Sequence, residues 1–291
     1  MNRAAAIDRT KLAAALESEL ARFRAEHPRS AALFEQAKAH LHDGVPMSWM
    51  IRWAGAFPLF VERAQGARFL DVDGKEYVDF CLGDTGAMTG HAPPASIAAI
   101  KAQLDRGLTF MLPTEDAIAV SAELSRRFGL PLWQAAMTAT DANRFVIRIA
   151  REITQRPKIL VFNWCYHGTV DETFATLRPD GTVGPRAGNV GPPVDPAVTT
   201  RVVEFNDVAA LERELAKGDV ACVLAEPAMT NIGIVLPDPG FHEALRTLTR
   251  KYGTLLVNDE THTISAGPCG ATRAWKLEPD LLTIGKPLAS G

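Results

Sequence analysis

The sequence predicts an α/β protein built around a mostly parallel sheet with helices on both faces. Short apolar runs alternate with amphipathic stretches of helical length, which is the pattern of repeated strand and helix units. Polar or charged residues directly follow several runs, and ligands bind at the carboxyl ends of the strands in such a sheet. The runs predicted to be strands are 134–138, 158–163, 201–205, 220–226, 254–259 and 281–284.

The N-terminal part of the chain has a different pattern. Apolar residues recur there at helical spacing, and a second short helix follows Pro28. Residues 59–82 are predicted to form a small antiparallel unit, because two alternating runs flank Asp73-Gly74, a strong hairpin-turn signal. The apolar positions of the first helix are Leu12, Leu16, Leu20 and Phe23.

Amphipathic spacing predicts the later helices, and composition predicts one long loop. Residues 178–196 are rich in Gly and Pro, which indicates a surface loop of the kind that covers active sites. The helices are expected at about 95–106, 114–128, 141–154, 207–216 and 240–252.

The composition is that of a globular protein. Of the 291 residues, 47% are hydrophobic and 22% are charged, so a sizeable core is expected. A net charge of −3 gives no general attraction to nucleic acid or membranes, and no apolar run approaches the roughly 18 residues that span a bilayer. No signal peptide is visible, and the four cysteines lack a C-x-x-C pair, which favours a cytoplasmic protein with reduced cysteines over a disulfide framework.

Lys286 and Asp259 each stand at the end of an apolar run. An amine and a carboxylate placed at two strand ends would face one small ligand. A lysine in a mostly apolar setting can form a Schiff base with an aldehyde, although most single lysines are solvated surface charges. The buried carboxylate needs a partner, and a protonated pyridine nitrogen is one. Metal binding through Asp259, Glu260 and His262 is the competing interpretation, and no further ligand motif supports it.

Two other segments follow predicted strands. Thr138-Ala139-Thr140 opens a helix, where free backbone N–H groups and hydroxyls suit a phosphate; simple helix capping by Thr138 or Thr140 is the alternative. Tyr166-His167-Gly168 places an aromatic ring beside a glycine, which suits stacking on a planar heterocycle. A partly buried turn tyrosine is the alternative there.

In this order, the motifs resemble those of the class III aminotransferases, fold-type I enzymes that use pyridoxal 5′-phosphate (PLP). The resemblance runs from about Val45 to Gly291. The family's Ser-Gly-Thr-Glu-Ala reads Thr138-Ala139-Thr140-Asp141-Ala142 here, its Tyr-His-Gly is Tyr166-His167-Gly168, its Glu-Pro is Glu226-Pro227, its Asp-Glu-Val is Asp259-Glu260-Thr261, and its Pro-Asp-x-x-x-x-Gly-Lys begins at Pro279 and ends at Lys286.

The resemblance implies a role for each matched residue. Lys286 would hold PLP as a Schiff base and later shuttle a proton, while Asp259 would pair with the pyridinium nitrogen. Tyr166 and Thr261 would contact opposite faces of the ring. The phosphate would bind at Thr138, Ala139 and Thr140, and His167 and Glu226 are also expected in the site, Glu226 without a defined role.

The resemblance also implies a domain division and an incomplete chain. Residues 1–82 would be N-terminal helices with an antiparallel small-domain segment, and residues 83–291 would be the PLP-binding large domain. Relatives continue well past the lysine, so a C-terminal truncation is expected. Other departures are Ala139 in place of the family's glycine, which requires a negative φ, and the polar Thr261.

The expected activity is transamination of an amino acid or related amine with an oxo acid or aldehyde, at a homodimer interface and without a metal. The branch resembled includes β-amino acid aminotransferases and glutamate-1-semialdehyde aminomutase, so an aminomutase is the alternative. An inactive fragment that serves as a binding or dimerisation module is another. A nicotinamide-dependent dehydrogenase is disfavoured, since no G-x-G-x-x-G follows an early strand. Trp49, Arg52 and Trp53 are candidate substrate residues, with ordinary packing as the alternative.

Overall fold

The computed structural model describes residues 7–191 and 194–289, and these residues form two compact units. The first unit lies within Met1–Gly83 and Thr89–Asp105, and the second within Asp84–Met88 and Arg106–Gly291. The domain boundary expected after residue 82 stays a prediction. In the described ranges, no helix is long and apolar enough to span a bilayer.

The first unit begins with two helices, as the spacing of apolar residues predicted. Helix α1 (Arg9–Glu26) starts after Asp8, whose carboxylate accepts hydrogen bonds from two backbone N–H groups of the first turn. Helix α2 (Pro28–Ala37) follows directly, and α3 (Pro94–Leu104) also belongs to this unit. The buried His27 between α1 and α2 bonds through its two ring nitrogens to the Phe23 carbonyl and the Tyr77 hydroxyl, at 2.7 Å each.

The first unit also contains the predicted hairpin, within a three-stranded antiparallel sheet. Strand β2 (Arg68–Asp71) lies between β1 (Val61–Gln65) and β3 (Glu76–Val78). The turn after β2 is stabilised by Asp71, whose Oδ1 accepts the backbone N–H groups of Asp73 and Lys75 at 3.0 and 2.8 Å. The hairpin centred on Asp73-Gly74 is therefore confirmed.

The second unit contains the predicted parallel sheet. Its strands are β4 (Lys158–Phe162), β7 (Thr200–Val203), β8 (Val220–Ala225), β9 (Leu255–Asp259) and β10 (Leu281–Thr283). The order across the sheet is β10-β9-β8-β4-β7, and every neighbouring pair is parallel. All six residues of β8 are buried, as expected for a central strand covered on both faces.

Helices cover this sheet at the positions that amphipathic spacing predicted. Helix α5 (Ala139–Thr154) packs against β8 and β10 through a buried stripe, while α7 (Val208–Leu215) and α8 (Phe241–Lys251) pack against each other. The helices of the second unit are α4 (Glu115–Phe128), α5 (Ala139–Thr154), α6 (Pro196–Thr199), α7 (Val208–Leu215), α8 (Phe241–Lys251) and α9 (Gly270–Ala274).

Two local predictions were wrong. Residues 134–138 are not a strand: they lead into α5 as an extended segment, and Met137 is 93% exposed, so the apolar run has no sheet to join in the described part of the chain. The segment 178–196 is not wholly a loop, because β6 (Val183–Pro185) pairs antiparallel with β5 (Ala175–Leu177). Pro192 and Pro193 of that segment lie outside the described residues.

The strand order brings the predicted chemical residues to one edge of the sheet. Asp259 is the last residue of β9, which lies between β8 and β10. Glu226 directly follows β8, and Lys286 stands three residues after the end of β10. The carboxyl ends of parallel strands meet at the same edge, so these side chains start from neighbouring positions.

Candidate active site

Asp259 is a buried carboxylate with three hydrogen-bond donors around it. The residue is 2% exposed, and Oδ2 accepts from Nδ1 of His167 at 2.8 Å and from Nδ2 of Asn143 at 2.9 Å. Oδ1 accepts the backbone N–H of Thr261 at 3.0 Å. The hydroxyl of Thr283 donates to Oδ1 of Asn143 at 2.8 Å and so fixes the orientation of the amide.

These contacts keep Asp259 ionised. Burial by itself would raise the pKa of the carboxyl, but the hydrogen bond and positive charge of His167 lower it below its usual value. For His167, burial acts to lower the pKa, while the neighbouring Cys165 and the bond to Asp259 raise it well above the usual value. Each partner thus favours the charged form of the other, and the negative charge of Asp259 suits a cationic group of a ligand.

Asn143 was not predicted as a site residue, although the sequence carries a signal for it. The buried stripe of α5 consists of Asn143, Val146, Ile147 and Ala150, at the i, i+3, i+4 and i+7 positions of a helix face. A polar residue that opens an otherwise apolar stripe must find a buried partner. Here that partner is Asp259.

The segment predicted to bind phosphate forms the first turn of α5. Thr138 is the N-cap: its hydroxyl accepts the backbone N–H of Asp141 at 3.1 Å and donates to the Asp141 carboxylate at 2.9 Å, so capping, the simpler alternative, does occur. The backbone N–H groups of Ala139 and Thr140 precede the first intrahelical bond, which Ala142 donates to Thr138 at 3.0 Å. Those two N–H groups suit an anion. Ala139 is helical and its φ is not positive, so its methyl group causes no backbone strain.

Two glycines bring three motifs into contact. A Cβ at Gly168 would lie 2.1 Å from Oγ1 of Thr140, and a Cβ at Gly285 would lie 2.7 Å from Cβ of Ala139. The backbone N–H of Thr169 also donates to Oγ1 of Thr140, at 3.2 Å. The loop that contains Tyr166-His167-Gly168 (the tyrosine loop) and the segment Gly285-Lys286 (the lysine segment) thus pack directly on the first turn of α5.

The amine of Lys286 lies among polar groups, which corrects the expectation of a mostly apolar setting. Nζ lies 2.8 Å from Oδ2 of Asp84 and 2.5 Å from Nε2 of His262, and Nδ1 of His262 lies 3.0 Å from Oγ1 of Thr85. The sequence indicates His262 only as a candidate metal ligand and does not point to Asp84 or Thr85. No cluster of three or more metal-ligating side chains occurs within the described ranges.

Among the described residues, several buried polar atoms near these groups lack a hydrogen-bond partner, as expected where a polar ligand binds. They include Oγ1 of Thr261, Oε1 of Glu226 and Nε2 of His167. The ring of Tyr166 is 43% exposed and is available for contact. The residues at this sheet edge therefore fit a group that brings a cation for Asp259, an anion for α5 and a planar ring.

Glu260 plays a structural part that the sequence did not indicate. Its carboxylate is fully buried and accepts the backbone N–H groups of Ala271 and Thr272, at 3.2 and 2.5 Å, and the Thr263 hydroxyl at 2.6 Å. A Cβ at Gly270 would lie 2.7 Å from this carboxylate. Of the acid pair that ends β9, Asp259 faces the site and Glu260 binds the N-terminus of α9.

The candidate substrate residues lie in the first unit. Ser48–Arg52 is a 3-10 turn, and the rings of Trp49 and Trp53 meet edge to face with their centroids 6.0 Å apart. Both rings and Arg52 are exposed within the described structure. A role for Trp49, Arg52 and Trp53 in substrate binding stays a prediction.

We expect Gly168→Ala to destabilise the protein more than the matched variant Gly181→Ala. Both glycines have positive φ, 78° and 80°, where alanine costs about 1–2 kcal/mol. At Gly168 the new methyl group would also meet Thr140, whereas no atom lies within 4 Å of a Cβ at Gly181. Urea unfolding measures both free energies, and equal losses would contradict the close packing of the tyrosine loop on α5.

We expect Glu226 to make stability fall as pH rises. Burial raises the pKa of Glu226 above its usual 4.5, so the folded state keeps this proton at pH values where the unfolded chain releases it. The free energy of unfolding should therefore decrease from about pH 4.5 upward through this window. Glu226→Gln should remove that decrease, which urea titrations at a series of pH values would detect; the same slope in both proteins would refute the assignment.

Comparison with known proteins places these features in a family. The profile of the family described as "Aminotransferase class-III" matches residues 49–291. A glutamate-1-semialdehyde 2,1-aminomutase of Sorangium cellulosum is 38% identical over 273 residues, which is 91% of this chain and 62% of that protein. The chain thus spans less than two thirds of the length of the curated relatives it matches.

Solved structures agree with the same assignment. A glutamate-1-semialdehyde-aminomutase from Pseudomonas aeruginosa PAO1 is 53% identical with a TM-score of 0.95, over 98% of this chain and 63% of that one. A β-phenylalanine aminotransferase from Variovorax paradoxus is 28% identical with a TM-score of 0.83, over 94% and 60%. The fold is therefore that of the fold-type I PLP-dependent transferases, and the chain belongs to the class-III aminotransferase family.

Proposed function

We propose that the second unit binds PLP and uses it to move an amino group. The observation that carries the proposal is Asp259, a buried carboxylate kept ionised by His167 and Asn143 at the carboxyl edge of the sheet. A buried anion of this kind fits the protonated ring nitrogen of PLP. Family membership and the structures of relatives bound to PLP or PMP support the same cofactor.

Other residues of the unit fit the remaining parts of the cofactor. The N–H groups of Ala139 and Thr140 would receive the phosphate, and the Lys286 amine would carry the cofactor covalently. Tyr166 and Thr261 would contact the ring, and the unpaired Oγ1 of Thr261 would gain a polar partner. When bound, PLP supplies an aldehyde that reacts with amines and a ring that withdraws electrons.

The chain's own residues would direct this chemistry through charge and proton position. Asp259 would keep a proton on the ring nitrogen, because the bond to His167 outweighs burial, lowers the pKa of the carboxyl and favours its charged form. His167 and Asn143 fix the direction of the carboxylate. Once Lys286 no longer carries the cofactor, its Nζ would take up a proton from the substrate and return it to another atom of the substrate.

Glu226 would present the unpaired Oε1 of its carboxyl to the ligand. Burial raises the pKa of its carboxyl, and Oε2 accepts the Thr230 hydroxyl at 2.5 Å. Oε1 has no partner in the described structure. A polar group of the ligand would bond to Oε1, and this is the role that we propose for Glu226.

Between the two forms of amino transfer, we propose the aminomutase, in which the amino group moves within one molecule. The relatives at 38% and 53% identity both carry the name glutamate-1-semialdehyde aminomutase. Transfer between two molecules is the second candidate, and the β-phenylalanine aminotransferase at 28% identity favours it.

We also propose that the protein acts as a cytoplasmic homodimer. Large apolar side chains between residues 108 and 137 of the second unit are exposed, and a second copy would cover such a surface. All four cysteines are free, as in a reducing compartment. The exposed apolar residues of this segment include Leu108, Phe110, Met111, Leu112, Ile118, Val120, Leu132 and Met137.

We expect the purified chain with added PLP to show a visible absorbance band that borohydride removes, with the reduced adduct on Lys286 in the peptide map. Lys286→Ala should lose the adduct, whereas Lys251→Ala, which changes an exposed lysine, should keep it. Asp259→Asn should lower amino transfer by roughly 10²- to 10³-fold, because a fixed charge that stabilises the reacting ring is lost.

Three results would contradict this proposal. Adducts scattered over surface lysines would mean that Lys286 has no special reactivity. An absent band in the folded wild-type chain would mean that this length of chain does not bind PLP. An Asp259→Asn variant with unchanged activity would remove the role of the buried carboxylate.

The two forms of amino transfer differ in what they consume. We expect glutamate-1-semialdehyde, supplied alone to the PLP-loaded or PMP-loaded chain, to be converted into an isomer of the same mass. A transaminase would instead give turnover only with a separate amino donor and acceptor, such as a β-amino acid and an oxo acid. Mass spectrometry with a nitrogen-labelled second amine separates the cases, because an aminomutase incorporates no label during repeated turnover.

A further inference from the structure

A cluster of polar side chains surrounds the amine of Lys286, and the proposed function uses only the lysine. Asp84 and His262 both contact Nζ, and Thr85 contacts His262. All four residues belong to the second unit.

The contact between Nζ and the imidazole determines the protonation of His262. A lysine ammonium has three N–H donors and no acceptor, so Nε2 of His262 must accept in this 2.5 Å contact. The proton of the neutral imidazole is then on Nδ1, which donates to Oγ1 of Thr85 at 3.0 Å. Burial first, and then the positive charge of Lys286, lower the pKa of His262. His262 is therefore neutral while Lys286 is charged.

The protonation of His262 becomes more favourable when Lys286 loses its charge. The repulsion that disfavours an imidazolium disappears, while the negative charges of Asp84 and Asp259 continue to favour one. Of the two groups that contact Nζ, imidazole is also the stronger base, with an ordinary pKa of about 6.5 against about 3.9 for an aspartate carboxyl. The proton that leaves Nζ is therefore better accepted by His262 than by Asp84.

We propose that His262 accepts the proton that the Lys286 ammonium must lose before its amine can react, while Asp84 holds the amine in place. One N–H bond of Nζ breaks, its electron pair stays on that nitrogen, and a new N–H bond forms at Nε2 of His262. The positive charge passes from Lys286 to His262. His262 is thus a positioning residue that acts through Lys286, and this role rests on the proposed function, in which Lys286 carries the cofactor.

The reactivity of the amine tests this role without cofactor or substrate. The full chain, freed of PLP, is labelled with acetic anhydride, and acetylation of Lys286 is measured by peptide mass spectrometry relative to the exposed Lys101. In the wild type, labelling of Lys286 should decrease as His262 becomes protonated below its lowered pKa. In His262→Gln this decrease at low pH (the His262 step) should disappear. Labelling near pH 7.5 should fall by about 100-fold, the low end of what a positioned base contributes.

A matched control is available in His242. Its imidazole is also partly buried, with a pKa that burial lowers, but Nε2 lies 3.0 Å from the Pro227 carbonyl oxygen. His242→Gln should therefore label Lys286 as the wild type does. Asp84→Asn should move the His262 step to lower pH, because the Asp84 charge raises the pKa of His262. Added imidazole should restore labelling in His262→Gly, which a purely structural role would not allow.

The outcomes separate this inference from the proposed function. Equal labelling of Lys286 in the wild type and His262→Gln at all pH values would overturn the inference, even if the chain binds PLP. Failure of imidazole to restore labelling in a His262→Gly variant with a native circular dichroism spectrum would also overturn it. A wild-type chain without a cofactor band would contradict the proposed function alone, since acetylation needs no cofactor.

Discussion

The burial of Asp259 as an ion is the constraint on which the site depends. A carboxylate removed from water costs several kcal/mol unless charge and hydrogen bonds compensate it. Here the compensation comes from His167 in the loop after β4 and from Asn143 on α5, and Thr283 at the end of β10 orients Asn143 in turn. One charge thus links the ends of two strands, a loop and a helix, which makes the position of the carboxylate a property of the whole sheet edge.

Close backbone packing is the second feature that holds the site together. The first turn of α5 contacts the tyrosine loop at Gly168 and the lysine segment at Gly285, at distances that leave no room for a Cβ. The free N–H groups of Ala139 and Thr140 therefore lie beside the residues expected to contact the ring and the reactive aldehyde of a bound cofactor. Glu260 adds rigidity from the other side of β9, because its buried carboxylate binds the N-terminus of α9. Binding and support are divided between two adjacent acids.

The sequence predicted the parts of this arrangement that depend on local pattern. Period and turn signals located the sheet strands and most helices, and polar residues at or just after the strand ends indicated Asp259 and Lys286. Residues 134–138 were misassigned because a short apolar run does not reveal whether a neighbouring strand exists. Asp84 and Lys286 are 202 positions apart, and no pattern in one sequence indicates such a contact. Asn143 falls between these cases, since its place in an apolar stripe was a usable signal.

The departures from the family's motifs have a common physical consequence. Ala139 stands where the family has glycine, yet its methyl group is directed at Gly285 and leaves the helix N–H groups open. With alanine at position 139, residue 285 must remain glycine for the lysine segment to approach α5. Thr261 likewise replaces an apolar residue and lies near the same glycine, since its Cγ2 would lie 3.5 Å from a Cβ placed there. Both substituted residues therefore lie next to the segment that carries Lys286. The residues that can occupy the phosphate and ring positions are limited by the space that this segment needs.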